Sequence, residues 1–161
     1  MTFEELDKIQ GEYMPFLISL NDGEDNELEL RIAPSCVGER REVSESEEPN
    51  AALRSLLNES RPLFADEENV YEVVFDRYII YQVSNESFCS GDPNDKYEGR
   101  FMRIYESSAL LNRLGEFTDA QVLEDGLYYP QKWTHYEIVT QNHIIDVISL
   151  DEPRVNISCS T

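Results

Sequence analysis

Positive charge is scarce in this chain. Its 161 residues hold 13 lysines and arginines against 33 aspartates and glutamates, a formal net charge of −20. A surface so poor in cations repels phosphate backbones and anionic bilayers. Neither a nucleic acid nor a membrane is therefore expected as a partner. Long apolar runs are missing too, since no stretch approaches the roughly 18 residues that a membrane span needs. The cysteines are three, Cys36, Cys89 and Cys159, odd in number and far apart. They form no C-x-x-C pair, which excludes the usual zinc and redox motifs. No G-x-G-x-x-G, G-K-[ST], G-x-S-x-G or H-E-x-x-H occurs, so no phosphate cradle, nucleophile elbow or zinc helix is expected, and no cofactor. The opening residues, MTFEELDKIQ, lack the basic and apolar segments of an export signal. A reducing cytoplasm is the expected setting.

What remains is a chain able to fold. Apolar residues make up 40%, with nine tyrosines and seven phenylalanines, too much core material for a disordered acidic tail. The length fits one domain spanning residues 1–161. Charge is uneven along it: residues 1–76 carry 20 acids and 6 bases, residues 77–161 carry 13 acids and 7 bases. The densest stretch, GERREVSESEEPN at 38–50, is nearly free of apolar residues and reads as a solvated, mobile loop.

Local patterns predict short elements. Thr2 and Glu5 form a capping box before Phe3, Leu6 and Ile9, which share a helical stripe that Gly11 ends. In FLISLNDGEDNELELRI (16–32), two apolar runs flank an acidic turn. Leu28, Leu30 and Ile32 alternate with Glu29 and Arg31, the pattern of a half-buried hairpin strand. Asn50 caps a helix with Leu53, Leu56 and Leu57 on one face, and SSALLNRLG (107–115) predicts a third helix ending at its glycine. RFMRIY (100–105) predicts a strand, and DEPRV (151–155) an exit from the sheet. The sum is an α+β fold with a largely antiparallel sheet built from hairpins and about three short helices.

One stretch occurs nearly twice. YEVVFDRYIIYQVS at 71–84 returns as YEIVTQNHIIDVIS at 136–149, at a constant offset of 65 residues. Each copy predicts a hairpin, turning at Asp76-Arg77 and at Gln141-Asn142. Cross-strand neighbours share a face, which predicts core faces of Tyr71, Val73, Phe75, Tyr78 and Ile80 in one copy. In the other they are Tyr136, Ile138, Thr140, His143, Ile145 and Val147. The same register sets Glu137 directly opposite Asp146. Like charges so placed are destabilising, so either the register is slipped by a residue, or solvent, a raised pKa or a cation relieves them. With His143 this pair is the one weak set of candidate metal ligands, or the site of a carboxylate- or metal-dependent enzyme. A packed sheet residue is the plainer role for His143, and an exposed strand entry for His135. Nothing in the spacing joins Cys89 to either histidine as a nucleophile and base. NESFCSGDPNDKYEG (85–99) follows a strand with the polar mix of a functional loop, a mix that ordinary loops share.

YIIYQVSNESF, GRFMRIYESSALL and HYEIVTQNHIIDVISLDEP together resemble a family of small acidic bacterial proteins of uncharacterised function, over about residues 71–153. The resemblance implies a bacterial, cytoplasmic, single-domain protein and brings no catalytic residue. The charge points instead to a non-enzymatic interaction domain that binds a basic protein, in its sharpest form an immunity protein or inhibitor of a toxin nuclease. The acids Asp22, Glu24, Asp25, Glu27, Asp66, Glu67 and Glu68 are the expected contacts, with Tyr128, Tyr129 and Trp133 as aromatic anchors. A small-molecule or peptide-binding domain is the alternative.

Overall fold

The computed structural model describes residues 1–158; Cys159 lies outside them. In chain order the elements are α1 (Phe3–Ile9), β1 (Phe16–Asp22), β2 (Leu28–Ala33), β3 (Ser35–Val37), α2 (Ala51–Glu59), β4 (Leu63–Ala65), β5 (Val70–Phe75) and β6 (Tyr78–Asn85). They continue with β7 (Lys96–Glu98), β8 (Met102–Ser107), α3 (Ala109–Phe117), β9 (Gln121–Val122), β10 (Tyr128–Tyr129), β11 (Thr134–Val139), β12 (His143–Ser149) and β13 (Arg154–Ser158). The α+β expectation holds: every strand pair is antiparallel, and three short helices accompany the sheets.

Two sheets hold the core. The first has the order β1-β2-β5-β13 and the second β6-β12-β11-β8-β7. Alternation along each strand decides what they bury. Leu28, Leu30, Ile32, Val73 and Phe75 of the first sheet meet Met102, Tyr136, Ile138, Ile145 and Val147 of the second in one apolar cluster. Tyr136 sits at its centre, edge-on to Phe3 at 5.2 Å and tilted against Phe75 at 5.5 Å. Phe3 arrives on α1, whose capping box forms as expected. Asp7 ties this helix to the second sheet by accepting backbone N–H bonds from Arg100 (2.8 Å), Phe101 (2.7 Å) and Met102 (2.8 Å). The β1–β2 hairpin also forms as expected, its turn held by Asn26 at φ 59°.

The repeat splits. Its second copy is the predicted hairpin: Thr140 N–H donates to His143 O at 2.8 Å, and Tyr136 and Ile138 pair with Val147 and Ile145. The first copy is not a hairpin. Both edges of β5 are taken by β2 and β13, so β6 joins the other sheet beside β12. Asp76 and Arg77 form a corner between sheets rather than a tight turn. The residues after β12 make the return crossing, and the two crossings are tied together. Arg77 grips Asp151 with two bonds of 2.6 Å, Arg154 grips Asp76 at 2.9 and 2.7 Å, and Leu150 N–H donates to Arg77 O at 2.9 Å. DEPRV is accordingly no exit, because its last two residues open β13 on the edge of the first sheet. Ile80 also leaves the predicted core face and packs with α3 on the far side of the second sheet.

Two helix expectations need adjusting. α3 runs past Gly115 to Phe117, since its end is made by Thr118, whose hydroxyl and N–H both bond Leu114 O. α2 forms behind its Asn50 cap, yet Leu53, Leu56 and Leu57 stay exposed. The 38–50 segment is exposed over most of its length, and Glu47 folds part of it back by accepting from Arg41 at 2.6 Å and from Ser44 N–H at 3.0 Å. No helix among the described residues is long and apolar enough to cross a membrane.

Candidate functional site

The second sheet has an outer face, and that face is polar at its centre. Strand pairing lines up Gln82 (β6), Asp146 (β12), Glu137 (β11) and Arg103 (β8) in one row across four strands. The neighbouring row is Ile80, Ile148, His135, Tyr105 and Tyr97. α3 covers one end of the face, where Leu114 packs on Ile148 with Ile80, Leu110 and Trp133 beside them. The other end is open. There the Glu86–Asp95 segment and the start of α3 wall a cleft of about 700 Å³ whose floor is the polar row. The 85–99 loop is therefore a cleft wall.

Each polar group on the floor is held. His135 is 2% exposed and stacks on Tyr105 at 4.3 Å with 15° between the planes. Its Nδ1 lies 2.9 Å from Ser108 Oγ and its Nε2 lies 2.9 Å from Asp146 Oδ1. Ser108 is also the N-cap of α3 and accepts from Leu111 N–H at 3.0 Å. The ionised Asp146 carboxylate can only accept, so Nε2 presents a proton to it. The other oxygen of Asp146 accepts from Gln82 Nε2 at 2.9 Å. Arg103 Nη1 donates to Glu137 Oε1 at 2.7 Å, its Nε donates to Arg100 O at 3.0 Å, and its guanidinium lies 4.5 Å from the centre of the Tyr97 ring.

Glu137 and Asp146 do face each other, as the hairpin register predicts, and their environments push them apart. Burial and the neighbouring Asp146 charge raise the Glu137 carboxyl above its ordinary range, more than Arg103 lowers it. Burial acts on Asp146 in the same direction, but the hydrogen bonds from His135 and Gln82 outweigh it and hold that carboxyl low. Of the two, Glu137 is therefore the first to take up a proton as pH falls. Tyr105 is pushed up by burial and by Glu137.

The sequence of groups Ser108–His135–Asp146 has the order of a nucleophile, a base and an orienting acid. The serine does not suit that role: it is 2% exposed and its oxygen caps a helix. A metal set of Glu137, Asp146 and His143 is not assembled, because alternation along β12 puts His143 on the face opposite Asp146. Among the described residues no group of three or more histidine, cysteine, aspartate or glutamate side chains is placed to hold a metal.

The expected partner contacts fall in three separate places. Glu24 and Asp25 are exposed at the β1–β2 tip. Beside them Asp22 accepts from the Tyr78 hydroxyl at 2.8 Å, and Glu27 meets Arg154 at 3.2 Å. Asp66, Glu67 and Glu68 form the turn before β5, at the opposite end of the first sheet, since Leu28 pairs with Phe75 and Ile32 with Tyr71. Tyr128 and Tyr129 are exposed on the β9–β10 ribbon, with Tyr128 edge-on to the half-buried Trp133 at 4.7 Å. Sequence reasoning missed His135, Arg103, Gln82 and Ser108. The signal for His135 was available: it stands two residues before Glu137 and so shares its face. His135 is buried there, which corrects its reading as an exposed strand entry. No protein-family model matches this chain, and no curated protein or solved structure matches it either, so the site is read from its own residues.

Proposed function

We propose that the protein is a non-enzymatic interaction domain that binds a basic protein through the outer face of its second sheet. The cleft floor carries this reading. Two buried carboxylates face each other in the middle of a sheet, and five carboxylates line the cleft against Arg103 alone among lysines and arginines. Buried charge is costly unless paired; among the described residues Arg103 is the one arginine or lysine beside the two carboxylates, and a cationic side chain from a partner supplies a second. The net charge of −20 speeds the encounter at low salt. Phe88, 86% exposed on the segment that walls the cleft, offers an apolar anchor beside the charges. In its sharpest form the protein is an immunity protein or inhibitor of a basic toxin such as a nuclease, with its acids standing where that partner binds phosphates. A bacterial, reducing cytoplasm belongs to the same proposal, and there Cys36 and Cys89 remain the exposed free thiols that they are here.

The test is affinity capture from the native host at low ionic strength, with the wild-type protein and its Asp146→Asn variant. A basic protein should be retained by the wild type, released by salt and retained less by the variant. Capture of no basic protein, or capture indifferent to salt, refutes the reading. The cleft volume of about 700 Å³ also lies within the usual range of small-ligand pockets. A thermal-shift screen examines that second reading, because ligand linkage raises apparent stability.

A further inference from the structure

We infer that the cleft is an arginine receptor, taking one guanidinium from the basic partner onto Glu137 and Asp146 beside Tyr105. The inference rests on the interaction reading above and names the group that this face recognises. Three observations select a guanidinium. First, the floor already holds one: Arg103 is kept by a carboxylate oxygen, a backbone carbonyl and an aromatic face. That combination suits a planar, five-donor cation and is poorly matched to a compact ammonium. Second, Glu137 is 8% exposed, lines the cleft and engages Arg103 through Oε1, and with Tyr105 as its other donor the carboxylate keeps lone pairs for a further one. Asp146 beside it has one donor on each oxygen, which leaves further lone pairs on both. Third, Tyr97, 44% exposed and already under Arg103, stands in the cleft lining as the aromatic surface that a second guanidinium meets on entering.

The walls decide the source. Glu86, Asp92 and Asp95 surround the entrance. They attract a cationic side chain and repel the carboxylate of a free amino acid, so an arginine within a polypeptide fits better than arginine itself.

The experiment is a titration of the isotope-labelled protein followed by amide NMR, with N-acetyl-arginine amide, N-acetyl-lysine amide and free arginine as probes. The blocked arginine should give saturable shifts centred on Ser84, Tyr105, Glu137 and Asp146, with affinity several-fold above the other two. Glu137→Gln should weaken it about tenfold, and Glu67→Gln, at the far end of the other sheet, should leave it unchanged. Ser84→Phe, which fills the cleft from its edge strand, repeats the test should Glu137→Gln not fold. Equal affinity for the lysine and arginine probes, or shifts scattered over surface acids, overturns the inference. Tighter binding of free arginine overturns the assignment to a partner side chain. Basic-protein capture that survives Glu137→Gln and Ser84→Phe alongside a failed titration removes the receptor and leaves the interaction reading standing. Capture failing alongside a successful titration does the reverse.

Discussion

Replacing Arg103 by methionine keeps most of the side-chain volume and removes the one cation facing Glu137. Glu137, 8% exposed in the wild type, is then left opposite Asp146 with no arginine or lysine against it. Removing one partner of a buried ion pair costs about 3–5 kcal/mol. The Arg103 side chain is 26% exposed toward the cleft, so water screens part of this and about 2–3 kcal/mol is expected near neutral pH. Glu137 can escape the penalty by taking up a proton, which makes the cost depend on pH. Its folded pKa is already raised by burial and by Asp146. A carboxyl raised on folding contributes stability that is full below its unfolded value and is lost as pH rises through the folded one. Losing Arg103 raises it further, so the wild-type and variant curves should converge in acid and separate as pH climbs. Asp146, held low, has the opposite dependence, with stability lost only as pH falls through its depressed value. It stays ionised over the window in which Glu137 titrates. Urea unfolding followed through Trp133, the single tryptophan, at about pH 5 and about pH 8 measures the difference. Adding Glu137→Gln to Arg103→Met should recover all but about 1 kcal/mol and flatten the pH dependence. Equal destabilisation at both pH values, or no rescue in the double variant, refutes this account of the floor.

Other parts of the fold give sharp expectations. Asp7→Ala strips the acceptor from three backbone N–H groups and should cost about 2–4 kcal/mol, whereas Asp7→Asn, keeping one oxygen, should cost about half as much by chemical denaturation. Gly99 has φ +95° and a Cβ there would run into the Met102 carbonyl oxygen, so Gly99→Ala should lower the thermal midpoint of unfolding by several degrees, roughly 2 kcal/mol or more. Tyr78 is pushed up to about 12, by burial first and then by Asp22. Asp22→Asn should bring its ultraviolet titration part of the way back toward about 10, and an unchanged titration would break the assignment.

The elements were legible because each is written locally. Thr2 with Glu5, Asn50 and Ser108 mark helix starts, and all three cap in the structure. Leu28, Leu30 and Ile32 announce their own alternation. Strand partners are not written that way. A hairpin and a crossing between two sheets both need an extended run, a polar break and a second extended run. Val70–Phe75 and Tyr78–Asn85 satisfy both descriptions. What decides is whether β5 has free edges, and β2 and β13, from opposite ends of the chain, occupy them. The site was half legible for the same reason. Glu137 opposite Asp146 follows from one short turn, whereas Arg103, Gln82 and Ser108 come from elements brought there by the sheet order.

The repeat itself shows how little separates a core residue from a site residue. Ile80 and Ile145 occupy equivalent places in the two copies, as do Tyr81 and Asp146. In β6 the pairing runs Ile148 with Ile80 and then Ser149 with Tyr78, so Ile79 is an extra, bulged residue. One inserted residue turns every following side chain to the other face. Before the bulge the copies agree, with Tyr78 and His143 on the same side of their sheet. After it they oppose: Ile145 enters the core while Ile80 packs under α3, and Tyr81 packs toward the core while Asp146 reaches the cleft. A carboxylate at the Tyr81 position would sit against the apolar cluster between the sheets, where its charge has no partner. At position 146 the same carboxylate meets His135 and Gln82. The acid is therefore tolerated in one copy and not in the other because the second hairpin carries no bulge, and the regular register of β11 and β12 is what turns Asp146 and Glu137 together onto the open face.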